Sequence, residues 1–140
     1  MSGTLELSLA NEVAALTGVA ERVERFGAEQ HLPAEVMNVL NIVLDEALSN
    51  VINHGYAAGV RGVIAVRLRC APGGVVVEVE DDGRPFDPLQ APPPDLTLPL
   101  AQRPIGGLGI HLIRNLMDEV SYVRRDGRNV LKMAKHLDTN

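Results

Sequence analysis

Val63-Ile64-Ala65-Val66-Arg67-Leu68-Arg69-Cys70, then Pro72-Gly73-Gly74, then Val75-Val76-Val77-Glu78-Val79-Glu80: an alternating run, a turn and a second run follow one another without a helix between them. Ile64, Val66, Leu68 and Cys70 fall on one face of the first run, and Val75, Val77 and Val79 on one face of the second. Pro and Gly punctuate the join, so the two strands form a hairpin. Downstream, Val120 to Arg124 and Asn129 to His136 flank Asp126-Gly127, a second hairpin signal. Strands that arrive as hairpins argue against repeated βαβ units and for a mixed, mostly antiparallel sheet with helices on one face.

Upstream, Thr4 to Leu9 alternates as a half-buried strand. Asn11 is placed to cap a helix whose apolar positions Val13, Leu16, Val19 or Ala20, Val23 and Phe26 recur every three or four residues, with its end near Gly27. Pro33 suits the first turn of a second helix running to about His54. A third helix spans about Gly107 to Met117. Residues 85–104 hold seven of the nine prolines, which excludes regular structure and implies a long surface loop. The order β-α-α-β-β-loop-α-β-β reads as a two-layer α/β (α+β) sandwich of about five strands and three helices, one domain over residues 1–140.

The chain has 140 residues, 46% of them apolar and 3% aromatic, enough for one aliphatic core. Its net charge of −5 and lack of a long Lys/Arg run argue against direct nucleic-acid binding. The lone Cys70 cannot form an internal disulfide, the start lacks the basic and apolar regions of a signal peptide, and no apolar run approaches a membrane span. A cytoplasmic location without membrane association is the expectation.

Three segments carry chemistry. On the second helix, Glu46, Asn50 and Asn53 are spaced i, i+4, i+7 along one stripe that borders the apolar face, while Asp45 points to water. A partly buried Glu can take a proton from an attacking hydroxyl, and an amide oxygen one turn on suits magnesium, which keeps most of its waters beside substrate phosphates. His54 prolongs this stripe toward the apolar side, where a structural role is the default. In Asp81-Asp82-Gly83-Arg84-Pro85-Phe86-Asp87, Asp81 is in phase with the inward valines and must find a donor, for which an adenine amino group serves; Gly83 lets a flat ring approach the backbone. Gly106-Gly107-Leu108-Gly109 opens a helix whose N–H groups can face a phosphate, with Arg103 just upstream adding charge. Taken singly, these segments also read as a polar helix edge, a strand-ending turn and a flexible loop. Zinc-ligand spacing, a GxSxG elbow and a Walker-type loop are all missing.

At these residues the chain resembles the Bergerat-fold (GHKL) ATP-binding family of gyrase-type ATPases, a heat-shock chaperone and histidine kinases, and within it the bacterial anti-sigma-factor serine kinases. The segments Glu46 to Tyr56, Asp81 to Asp87, Gly106 to Ile110 and the closing Asn129 to Lys135 strand carry the likeness. The resemblance implies ATP and Mg2+ as cofactors, Glu46 as catalytic base, Asn50 as magnesium ligand and Asp81 as the acid that reads adenine. Gly83, Gly107 and Gly109 would be backbone contacts, and residues 87–105 an ATP lid. Asn53, His54, Phe86, Arg103, Gly106 and Leu108 complete the candidate nucleotide-binding set. It also implies a possible homodimer that sequesters a sigma factor and phosphorylates a serine of a STAS-type antagonist. Arg84-Pro85 and the Pro-rich lid depart from that pattern. A module that binds its partner without phosphotransfer is the alternative; a histidine kinase is disfavoured, since no helix pair carries an acceptor histidine.

Overall fold

The computed structural model describes residues 2–90 and 107–137. Among them are β1 (Gly3–Ala10), α1 (Leu16–Glu29), α2 (Ala34–His54), β2 (Val63–Ala71), β3 (Gly74–Asp81), α3 (Gly107–Leu116), β4 (Glu119–Arg125) and β5 (Arg128–His136), with single 3-10 turns at Val13–Ala15 and Pro88–Gln90. The strands form one sheet in the order β1-β2-β3-β5-β4. Every pairing among the described residues is antiparallel, so they contain no parallel pair of a mixed sheet. The cause is the pair of hairpins: β4 turns back as β5, and β5 rather than β4 docks on β3.

Turn chemistry fixes those hairpins. Asp126 and Gly127 both have positive φ (53° and 76°), the backbone of a two-residue turn whose twist matches its strands. Gly73, at φ 97°, closes the β2–β3 turn. Ile64, Val66, Leu68, Val75, Val77 and Met133 are at most 1% exposed on the inward face, where Val23, Leu40, Val43, Leu48 and Ile113 of the helices meet them. Burying each such side chain contributes roughly 1.5–3 kcal/mol. Cys70 lies in this core, and burial pushes its thiol up, which leaves it inert. The outward face carries Arg67 bonded to Glu78 and Glu80 at 3.1 and 3.3 Å and Arg128 on Glu80 at 3.3 Å.

Two helix boundaries differ from the periodicity. Asn11 caps nothing: its amide donates to Val60 O at 2.8 Å and its oxygen accepts from Gly62 N at 2.9 Å, pinning the loop after α2 to the end of β1. Gly27 does not end α1, which continues to Glu29; Gly27 is buried against Met37 of α2, and a Cβ there would overlap the Met37 sulfur. It is a close-approach glycine, not a stop. Pro33 stands at the N-cap of α2 and accepts from Met37 N at 3.0 Å.

Tyr56 ties the exit of α2 to the end of β3. Its hydroxyl donates to Asp82 Oδ1 at 2.6 Å, and Val63 N donates to the same oxygen at 3.3 Å. Burial, and then Asp82, push the phenol above the usual tyrosine range, while the Tyr56 hydroxyl, with Val63 N–H, holds the Asp82 carboxyl below its ordinary value against partial desolvation. A depressed carboxylate contributes stability above its unfolded pKa of about 3.9 and loses it as pH falls through the native value. Tyr56→Phe is therefore expected to unfold at lower urea than wild type at pH 7, with the gap narrowing as pH drops below about 4. Urea titrations at both pH values check this.

Candidate functional site

The register of β3 carries the inward phase of Val75, Val77 and Val79 onto Asp81, which is 4% exposed, while Asp82 turns to solvent. Across the layer, α2 presents Ala47, Asn50 and Val51. Together with Gly55, Phe86, Pro88, Tyr122, Asn129 and Leu131 these line a pocket between α2 and the β3-β5-β4 side of the sheet. One wall is aliphatic and the polar groups are few, the usual make-up of a small-ligand site.

Glu46 stands one turn before Asn50, half-buried, against the first turn of α3. A Cβ on Gly109 would lie 2.6 Å from its Oε2, so any larger residue there would push the carboxylate from this position. A negative charge at a helix N-terminus is also electrostatically favoured. Helices α2 and α3 thus bring the first and third sequence segments together, and α2 with β3 brings in the second.

Asn53 does not join them. It is exposed and lines a separate groove with Ile52, Tyr56 and the loop through Arg61: it shares the direction of Glu46 to within about 20°, but lies about 60° round α2 from Asn50, on the side away from Val51. His54 is half-buried with its ring 6.3 Å from that of Phe86, and its carbonyl accepts from Arg84 Nε at 2.8 Å; it is not a pocket-lining residue. Phe86 lines the pocket at 38% exposure. Gly107 opens α3, but the side-chain surroundings of Gly107 and Leu108 are not among those described; Arg103, Gly106 and residues 91–105 of the expected lid lie outside the described residues.

Gly83 is required by what surrounds it. A Cβ would overlap Gly55 O and sit 2.9 Å from Asp81 Oδ1, while the Gly83 N–H donates to that oxygen at 2.9 Å and Arg84 N donates to Gly55 O at 2.9 Å. Gly83→Ala is expected to cost about 1–3 kcal/mol of unfolding free energy by overpacking, read as a lower urea midpoint.

Three residues of the β4–β5 hairpin complete the loop's frame, and their role escapes sequence reading. Arg124 Nη1 donates to Gly83 O at 2.9 Å. Asn129, 5% exposed, donates through Nδ2 to Asp81 Oδ1 at 3.0 Å and to Arg84 O at 2.8 Å, and its Oδ1 accepts from the Tyr122 hydroxyl and from Phe86 N at 3.4 Å. The available signal was parity: Asn129 is in phase with inward Leu131 and Met133, so an amide occupies a core position beside Asp81.

Among the described residues no cluster of three or more His, Cys, Asp or Glu side chains could hold a metal by itself. An amide oxygen such as that of Asn50 fits a magnesium ion whose remaining ligands are water and substrate phosphate.

A glycine-opened helix, an amide and carboxylate one turn apart on a second helix, and a buried acid at a strand end are thus held on one side of a two-layer α+β fold. The sequence profile of the histidine kinase-like ATPase domain matches residues 9–135, and the chain belongs to that family. It is 34% identical over 95% of its length, and 92% of the relative's, to the serine/threonine-protein kinase BtrW of Bordetella bronchiseptica. It is 31% identical, over 70% of its length and 62% of the relative's, to the serine-protein kinase RsbW of Bacillus thuringiensis. The crystal structure of the RsbU and RsbW domains of a Mycobacterium tuberculosis protein shares the fold at a TM-score of 0.67 and 19% identity, covering 95% of this chain and 32% of that one. No helix among the described residues is long and apolar enough to cross a membrane.

Proposed function

We propose that the chain is an ATP-dependent protein serine kinase that also acts as an anti-sigma factor. The observation that carries this is the position of Glu46: its carboxylate rests against Gly109 at the start of α3, one turn from Asn50, which lines the same pocket as Asp81. A pocket built only to hold a nucleotide has no use for a carboxylate there. The names of the kinase relatives from Bordetella and Bacillus support the same reading.

In this reading Asp81 accepts from the 6-amino group of adenine, the ring lies between Val51 and the Phe86 side of the pocket, and the phosphates run toward α3, whose opening N–H groups face them. Asn50 holds Mg2+, which would neutralise the phosphate oxygens. Glu46 takes the proton from an acceptor serine hydroxyl as that oxygen bonds the γ-phosphorus and the bond to the bridging oxygen breaks, releasing ADP. Gly107 and Gly109, at the opening of α3, flank the phosphates. The whole chain serves as one catalytic domain in the cytoplasm, as a possible homodimer. Its partners are a sigma factor, which it sequesters, and a STAS-type antagonist, whose serine it modifies.

Purified chain incubated with Mg-ATP and the STAS-type proteins of its own organism is expected to add one phosphate to a serine of one of them, seen by intact mass and peptide mapping. ATP bound with no acceptor modified would favour the module that grips its partner without transfer.

A further inference from the structure

Asp81 is braced more heavily than burial alone demands. Its Oδ1 accepts two hydrogen bonds, from Gly83 N at 2.9 Å and Asn129 Nδ2 at 3.0 Å, whereas none of the described residues donates to Oδ2. The Asn129 amide cannot turn over. One end faces acceptors only, the Asp81 carboxylate and Arg84 O; the other faces the Phe86 N–H, which only donates. The Tyr122 hydroxyl must therefore donate to Asn129 Oδ1. This chain of fixed polarity runs from β4 through β5 to β3, across the register pairs Tyr122↔Leu131 and Asp81↔Asn129.

We propose that Asn129, itself held by Tyr122, is a positioning residue that locks the Asp81 carboxylate with Oδ2 turned to the bound base, so that the pocket selects a purine bearing a 6-amino group. The inference rests on the nucleotide reading above and deepens it. Without the Asn129 donor, Oδ1 keeps only the Gly83 N–H, and the carboxylate can rotate between that bond and the base. A purine without the amino group gives Oδ2 no donor while still desolvating it; that difference is what Asn129 enforces.

The test compares calorimetric affinities for Mg-ATP and for purine riboside triphosphate, which lacks the 6-amino group, in wild type, Asn129→Ala and Tyr122→Phe. Wild type is expected to prefer ATP by at least about tenfold. Asn129→Ala should bring the preference to within about threefold, the loss falling on ATP, and Tyr122→Phe should lie between. A role in packing alone would weaken both nucleotides together, so equal weakening overturns the proposal, as does a preference unchanged in both variants. Should Asn129→Ala fail to fold by circular dichroism, Tyr122→Phe decides: full wild-type preference in that variant overturns it. Wild type that binds neither nucleotide removes the nucleotide reading itself, and this inference with it.

Discussion

Replacing Glu46 by Gln is expected to cut phosphotransfer to the serine acceptor by about 10²- to 10⁴-fold while changing ATP affinity by less than about threefold. The substitution keeps the side-chain volume and the packing against Gly109. What disappears is the ability to take a proton. A base contributes in the transition state and little in the ground state, so the loss belongs in turnover rather than in binding. Initial rates of acceptor phosphorylation, set beside calorimetric ATP titrations, measure both quantities. Transfer at the wild-type rate would remove Glu46 from the mechanism.

Asp81→Asn should do the reverse and weaken ATP binding by about 100-fold or more, with little effect on unfolding. The direction follows from the neighbours. The Gly83 N–H and Asn129 Nδ2 both need an acceptor, so the new amide must keep its oxygen on them. Its NH2 group then stands where Oδ2 stood and meets the adenine amino group donor to donor. A nucleotide affinity equal to wild type in this variant would show that the base lies elsewhere.

Much of the architecture is legible in the chain because short-range chemistry specifies it. Asp126-Gly127 dictates a tight turn, the alternation from Val63 to Glu80 dictates a hairpin, and the three- and four-residue spacing along α2 dictates its buried face. The inward turn of Asp81 follows from strand parity, and the choice of Glu46 over Asp45 from the helical stripe. Other features depend on partners distant in the chain. Asn11 has a capping residue's identity but bonds to residues 49 and 51 positions away. Gly27 looks like a helix stop until Met37 is packed on it. Asn53 continues the Glu46 stripe on paper, yet it lies about 60° round α2 from Asn50 and opens on a different groove. Asn129 is polar at a core position, and only the β3–β5 register reveals what it serves.

The loop after β3 is gripped from both sides: by carbonyls at the exit of α2, which hold Arg84, and by Arg124 and Asn129 of the β4–β5 hairpin. A chain in which β5 has not paired with β3 lacks the Asn129 donor and leaves only the neighbouring Gly83 N–H to orient Asp81. On the reading proposed above, nucleotide would gain affinity only once β4 and β5 are paired with β3, because the Asn129 donor that orients Asp81 belongs to that hairpin. Bound nucleotide would then stabilise the fully paired sheet over forms in which this hairpin has come away from β3.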